Sequence, residues 1–159
     1  MASLSINCWN CQGLGARSYN TQAKMDFLET HFSSSPFDIL GLLETHHRDD
    51  DDIPILIQNY SITHHVTHTP MHESDSSGGI VVIISKIFTV LDNSVHLPGR
   101  ILTITLQHSI TLEEYLFTFY YGIQPQRHTT AEIKTAMFLL GQQHTSHTNS
   151  FIIGDFNFW

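Results

Sequence analysis

Residues 37–44 read FDILGLLE, an almost unbroken apolar run of strand length that ends in a glutamate. A run without polar alternation is typical of a strand that is buried on both faces. Upstream, residues 20–32 place apolar side chains three and four positions apart, the spacing of an amphipathic helix, and residues 4–10 alternate as a strand does. Strand, helix and buried strand in succession predict a βαβ unit at the start of an α/β domain.

The rest of the chain adds closely spaced strands and one more helix. We predict further strands over residues 60–66, 76–85, 88–92, 99–107, 114–121 and 151–154. The last of them is expected to be central and buried. A helix is predicted over 129–144, because a threonine at 129 or 130 can cap it and Glu132 lies in its first turn. Residues 53–57, IPILI, indicate only a short packing segment.

Composition limits the class of protein. Of the 159 residues, 41% are hydrophobic, which is typical of a globular domain, and no repeat or linker divides residues 1–159 into more than one domain. No window approaches the roughly 18 apolar residues of a membrane span, and the N-terminus lacks the features of a signal peptide. We therefore expect an intracellular protein, in the nucleus or the cytoplasm, with no membrane contact and no obligate protein partner. The net charge of −8 predicts no basic stripe for nucleic acid.

Cysteine and histidine are the residue types that could indicate a metal site of their own. Cys8 and Cys11 lie three apart, but no second cysteine pair completes a zinc site, so we predict ordinary buried thiols. Three of the twelve histidines are spaced four apart, at His64, His68 and His72. A proline among them rules out a helix. A metal site on an extended segment stays open, although mobile loop histidines are the favoured interpretation.

Polar side chains stand where several predicted strands end. These residues are Asn10, Glu44, Tyr120, Tyr121, Asp155 and Asn157. In layered α/β structures, sites are built at such strand ends. A single asparagine or glutamate there is more often a cap or turn residue, but four strands that end in this way favour a functional site.

Four segments of the sequence, in this order and at this spacing, resemble the endonuclease/exonuclease/phosphatase superfamily. They are WNCQGLG at 9–15, DILGLLETH at 38–46, SGGIVVIIS at 77–85 and GDFN at 154–157. The likeness is greatest to the apurinic-type endonuclease domains of non-LTR retrotransposons. This resemblance implies an α/β (α+β) fold, a two-sheet sandwich flanked by helices. Residues 1–159 would form the N-terminal part of that domain and would lack its C-terminal third.

The resemblance also implies a role for each strand-end residue. Glu44 would bind the divalent cation, Mg²⁺ or alternatively Mn²⁺, and Asn10 would support it. Tyr121, or its neighbour Tyr120, would contact the scissile phosphate. Asp155 would activate or orient the attacking water, and Asn157 would hold the phosphate. The expected partner of the complete domain is DNA.

These residue types suit phosphodiester hydrolysis. The reaction adds negative charge to a group that is already anionic, so it needs a hard cation and neutral hydrogen-bond donors nearby. We expect a metal-dependent, DNA-nicking endonuclease of the retroelement type. A truncated non-catalytic remnant and a phosphoesterase with a non-nucleic-acid substrate are the alternatives. The resemblance further implies a terminal Ser-Asp-His segment that residues 1–159 do not contain, so we expect this chain alone to be inactive.

Overall fold

The structure is a computed structural model, and it describes residues 4–14, 20–34, 37–49, 53, 55–73, 75–122, 129–144 and 149–156. In chain order its elements are β1 Ile6–Asn10, α1 Thr21–Ser34, β2 Ile39–Leu43, α2 Ile55–Tyr60, β3 His64–Thr69, β4 Ile80–Ser85, β5 Phe88–Leu97, β6 Ile101–His108, β7 Glu114–Tyr121, α3 Thr130–Gln143 and β8 Ser150–Asp155.

The first sheet has the strand order β1-β2-β4-β3. β1 and β2 are parallel and α1 connects them, which confirms the predicted βαβ unit. β4 runs antiparallel to both of its neighbours, β2 and β3. Every residue of β2 is buried, as is nearly all of β4, and this explains why both strands read as continuous apolar runs.

The second sheet has the order β5-β6-β7-β8. Its first three strands form an antiparallel meander, and β8 then pairs parallel to β7 after the crossover through α3. In this register Tyr121 lies opposite Asp155, just as Asn10 lies opposite Leu43 in the first sheet. Each sheet therefore contains one parallel pair, and each pair brings the carboxyl ends of its two strands together.

The two sheets pack face to face, with helices on both outer sides. Leu43 of β2 belongs to the core between the sheets, together with Phe117 and Phe119 of β7. On the other face of β2, Leu40 packs in the cluster that contains Leu28 of α1. The α3 helix covers the outer face of the second sheet. This arrangement confirms the predicted two-sheet α/β sandwich flanked by helices.

The position of β8 differs from our prediction. In the part of the chain that the structure describes, β8 is the last strand of its sheet, and Phe151 and Ile152 are 40% and 39% exposed. The expectation of a central, buried final strand is therefore wrong for these residues. The apolar run indicated a strand correctly, but its place in the sheet depends on which strands pair with it.

The segment between β2 and β4 also differs. Residues 55–60 form the short helix α2, where we expected only a packing segment, and β3 begins at residue 64 instead of 60. His64 and His68 accordingly lie on a strand and not in a mobile loop. Among the described helices, none combines the length and the apolar character that a membrane crossing requires.

Candidate active site

Four of the six strand-end residues meet at one edge of the sandwich. Asn10 and Glu44 come from the ends of β1 and β2, and Tyr121 and Asp155 come from the ends of β7 and β8. The side chain of Asn10 donates from Nδ2 to Oδ2 of Asp155 at 2.8 Å and also hydrogen-bonds to Glu44. The hydroxyl of Tyr121 forms a further hydrogen bond to Glu44. The convergence that the sequence predicted is therefore present in the structure.

Asn10 connects the carboxylates of the two sheets. An ionised carboxylate only accepts hydrogen bonds, whereas the amide nitrogen of asparagine carries two hydrogens. Its Nδ2 donates to Asp155, the same side chain hydrogen-bonds to Glu44, and its Oδ1 accepts from the backbone N–H of Gln12 at 3.1 Å. Asn10 therefore holds the two carboxylates near each other.

Glu44 is charged at neutral pH. Its partial burial alone would raise its pKa, but hydrogen bonds from His46, Tyr121 and Asn10 outweigh that effect, and the pKa of Glu44 lies below its ordinary value. His46 Nε2 lies 3.3 Å from Oε1 of Glu44. The site thus offers a half-buried anion that several neutral or weakly basic groups stabilise.

The loops at this edge adopt an unusual backbone conformation. Gln12, Glu44 and His46 all have positive φ, at 49°, 55° and 58°, a region that costs about 1–3 kcal/mol for a residue with a side chain. Backbone hydrogen bonds hold them there, among them Gly13 N to the carbonyl of Glu44 at 2.7 Å and His46 N to that of Gly78 at 2.9 Å. Strained residues of this kind cluster at functional sites.

The two adjacent tyrosines lie on opposite faces of β7. Tyr121 is 1% exposed and belongs to the core between the sheets, and its hydroxyl reaches Glu44 and Ser77. Burial and the nearby charge of Glu44 raise the pKa of Tyr121 to about 12, so it remains a hydrogen-bond donor at neutral pH. Tyr120 instead packs on the α3 side, where its ring centroid lies 5.3 Å from that of Phe156, with the two rings tilted by 42°. The structure therefore brings Tyr121, and not Tyr120, to Glu44.

Three residues at this edge were missed by the sequence reasoning. His46 and Ser77 lie inside the LLETH and SGG segments, which were recognised as segments without a role for each side chain. Arg100 is 2% exposed, and its Cζ lies 4.7 Å from the ring centroid of Tyr121. No pattern in the sequence distinguishes this arginine from an ordinary residue at the start of a strand. The predicted residue Asn157 lies outside the described part of the chain.

The oxygen ligands at this edge fit a hard divalent cation. Mg²⁺ usually binds one or two carboxylates and keeps several waters, so Glu44, with Asp155 close by, is sufficient for it. In the described residues, no group of three or more histidine, cysteine or acidic side chains is arranged to hold a metal ion. Of the histidine metal site that the sequence left open, the described residues show one histidine pair, in which His47 Nε2 lies 3.3 Å from His68 Nδ1. Two nitrogen ligands are fewer than protein zinc sites normally use.

Comparison with known families agrees with this geometry. Residues 8–159 match the family described as Endonuclease/Exonuclease/phosphatase family. The chain belongs to this family. The family's description names endonucleases, exonucleases and phosphatases, and its members generally depend on a divalent metal ion. A search of curated protein sequences finds no match to the chain.

Solved structures share the fold at low sequence identity. The D. rerio TDP2 structure with a single-strand DNA product matches with a TM-score of 0.69 and 16% identity, over 98% of this chain and 61% of that one. The human Nocturnin catalytic domain with a bound sulfate matches at 0.72 and 15%, over 98% and 64%. The Neisseria 3' phosphatase NExo, bound to a product DNA hairpin, matches at 0.67 and 16%, over 98% and 58%. This member of the endonuclease/exonuclease/phosphatase family thus spans about three fifths of the length of these relatives.

Proposed function

We propose that this chain carries most of the active site of a metal-dependent phosphodiesterase, a DNA-nicking endonuclease of the retroelement type. The observation that supports the proposal is the meeting of Glu44 and Asp155, from different sheets, at the side chain of Asn10, whose Nδ2 donates to Asp155 at 2.8 Å. Two carboxylates held together by a neutral donor, with a tyrosine hydroxyl beside them, suit hydrolysis of an anionic ester.

Each residue has a distinct proposed role. Glu44 holds Mg²⁺, or Mn²⁺, which when bound would polarise a phosphoryl oxygen. Asp155 accepts a hydrogen bond from the attacking water and orients it, while Asn10 fixes the carboxylate of Asp155. Tyr121 donates its hydroxyl hydrogen to a phosphate oxygen. Asn157, two residues beyond Asp155, is proposed to hold the same phosphate.

A phosphoesterase with a smaller, non-nucleic-acid substrate is the second candidate. It is favoured by the net charge of −8, with only seven lysines and arginines in 159 residues. Lys24 donates to the carbonyls of Gln12 and Gly13, and Arg100 is buried, so these two cations are engaged inside the protein. A DNA substrate predicts activity that falls steeply with salt, whereas a small phosphodiester predicts a weak dependence.

Metal binding by the 159-residue chain is the first test. Titration calorimetry should detect weak Mg²⁺ or Mn²⁺ binding that Glu44→Gln abolishes. Glu132→Gln is the matched control, because it makes the same chemical change in the first turn of α3, away from the site, and should bind like the wild type. Unchanged binding in Glu44→Gln would overturn the assignment of Glu44 as the metal ligand.

Nicking of supercoiled plasmid is the second test. General acid–base groups contribute roughly 10²–10⁴-fold to such reactions. We therefore expect no nicking above background from residues 1–159, and nicking from a chain extended through a Ser-Asp-His segment. Asp155→Ala should abolish the activity of the extended chain. If the 159-residue chain itself nicks and Asp155→Ala stops it, the Ser-Asp-His segment is dispensable and our expectation is wrong.

A further inference from the structure

Arg100 is a buried cation directly beneath the candidate site. Its Nη1 donates to the carbonyl of Gly122 at 3.2 Å, and its Nη2 donates to the carbonyl and the Oγ of Ser77 at 3.0 and 3.2 Å. Its one carboxylate contact in the described residues is Asp75, at a long 3.5 Å. The guanidinium face lies 4.7 Å from the ring centroid of Tyr121. Arg100 therefore joins the loop before β4 to the end of β7.

This position is expensive for an arginine. A buried charge costs several kcal/mol unless close partners compensate for it, and an apolar side chain of similar size is often at least as stable. The contact with Asp75, at 3.5 Å, is longer than the roughly 2.7–2.9 Å of a typical charge-assisted pair. Neutral carbonyls, one hydroxyl and an aromatic face therefore supply most of the compensation. Packing alone gives no reason for a guanidinium at this place.

The hydrogen bonds around Arg100 form a chain with one possible direction. Ser77 Oγ receives a hydrogen from Arg100, and the Tyr121 hydroxyl is bonded both to Ser77 and to Glu44. A guanidinium can only donate, and an ionised carboxylate can only accept. The carboxylate end fixes the direction: the single phenol hydrogen of Tyr121 goes to Glu44, so the Tyr121 oxygen accepts from the Ser77 hydroxyl, whose own oxygen accepts from Arg100.

We infer that Arg100 is a positioning residue, which holds Ser77 and the ring of Tyr121 so that the phenol hydrogen points towards Glu44 and the space beside it. Without the guanidinium, the Ser77 oxygen loses its donor and the ring loses the cation on its face. The Ser77 hydroxyl can then rotate away from Tyr121, and the phenol oxygen loses the donor that helps to orient it. The consequence for catalysis rests on the proposed function, whereas the direction of the hydrogen-bond chain does not.

The direct test uses metal-free protein labelled with ¹³C at the tyrosine Cζ, whose NMR resonance reports the hydrogen bonding of each phenol. Tyr121→Phe assigns the resonance. Arg100→Met should shift it, and Ser77→Ala, which keeps the arginine and removes the middle hydroxyl, should shift it as well. Arg100→Lys should lie between wild type and Arg100→Met, because an ammonium can donate but cannot span both contacts.

Thr103→Val is the matched control. It removes a buried hydroxyl of the same sheet, which bonds to Thr118 at 3.1 Å on the face of β7 opposite to Tyr121, so the resonance should stay in place. A folded Arg100→Met with the wild-type Tyr121 resonance would overturn the inference. If Arg100→Met does not fold, an unchanged resonance in Ser77→Ala overturns it equally well.

The catalytic consequence is measured separately, in a chain that shows activity. Arg100→Met should lower kcat roughly tenfold with little change in KM, less than the 10²–10³-fold typical of deleting a donor outright. In a Tyr121→Phe background the same change should have almost no further effect, because the hydroxyl that it positions is gone. Additive effects would show that Arg100 acts through another group. A shifted resonance with unchanged activity would instead count against the proposed function of Tyr121 alone.

Discussion

Gly79→Ala would place a methyl group where the structure has no room for one. A Cβ on Gly79 would lie 2.5 Å from Thr45 Oγ1 and 3.0 Å from His47 Nδ1, and φ at this residue is +88°. Gly79 cannot move away easily, because its N–H donates to Gly99 at 3.0 Å and its carbonyl accepts from Thr45 at 3.2 Å. The segment that follows Glu44 is therefore built directly against this glycine.

The cost can be estimated from these contacts. The left-handed conformation costs about 1–2 kcal/mol for a residue with a Cβ. Overpacking adds roughly 1–3 kcal/mol, and disturbing the 2.6 Å hydrogen bond between Thr45 and His47 adds about 1 kcal/mol. Because part of the strain relaxes, we expect Gly79→Ala to lower the free energy of unfolding by about 3 kcal/mol.

Urea unfolding followed by circular dichroism measures this change. With an m-value of about 2 kcal/mol per molar, the midpoint should fall by roughly 1.5 M. Gly141→Ala is the matched control, since a Cβ there meets nothing within 4 Å and the residue lies inside α3. That variant should gain about 0.5–1 kcal/mol.

Two results would refute this reasoning. One is a Gly79→Ala variant within about 1 kcal/mol of wild type, a difference that ordinary surface substitutions also produce. The other is a double variant, Gly79→Ala with Thr45→Ala, that is as unstable as the two single changes summed. Removal of Oγ1 relieves the shortest contact, so the pair should be non-additive.

Three further predictions follow from the same edge and from α3. The pKa of Glu44 lies below its ordinary value in the folded chain. The stabilising contribution of the carboxylate is therefore present above the ordinary pKa and is lost as the pH falls through the folded pKa. Urea midpoints measured from about pH 7 to pH 3 should fall less in Glu44→Gln than in wild type. The Cys8 side chain is exposed, but the atoms packed around its sulfur and, secondly, the charge of Asp155 raise the pKa of the thiol to about 11. Iodoacetamide should therefore label Cys8 slowly at neutral pH, and Asp155→Asn should speed the labelling; equal rates would contradict this. Thr129→Ala removes the capping box of α3 and should cost about 1 kcal/mol in urea unfolding, whereas Thr129→Ser should retain most of the stability.

Burial on both faces is what made much of the fold predictable. β2 and β4 lie inside the first sheet, so their sequences had to be apolar throughout, and the helix between β1 and β2 showed its own period. β3 was placed too early, because its histidine-rich sequence has no clear period. It is a strand through its pairing with β4, a tertiary contact that local sequence does not encode. His64 and His68 were misread as loop residues for the same reason. Cys8 was predicted to be buried, but its side chain is exposed.

Only those residues of the site that lie at strand ends could be predicted from the sequence. Asn10, Glu44, Tyr121 and Asp155 each follow an apolar run, and parallel pairing carries such ends to one edge. Arg100 gives no such signal, since its long side chain reaches the site from the start of a strand, where the sequence shows only a residue after a glycine.

The role of the parallel pairs explains why the site lies between the sheets. β1 and β2 point their carboxyl ends to one edge of the first sheet, and β7 and β8 do the same in the second.

The sheets are joined at that edge by hydrogen bonds from Asn10 to Asp155 and from Tyr121 to Glu44, which both cross the gap. Each crossing bond ends on a carboxylate of the opposite sheet, so neither sheet alone sets the distance between the two charges. A shift of one sheet against the other would separate each carboxylate from the donor that reaches it across the gap, and each anion would lose that part of its stabilisation. Packing between the sheets and the geometry of the site are therefore coupled: the large, buried Phe119, against which Gly41 allows close approach, holds the sheets at the spacing that these bonds require.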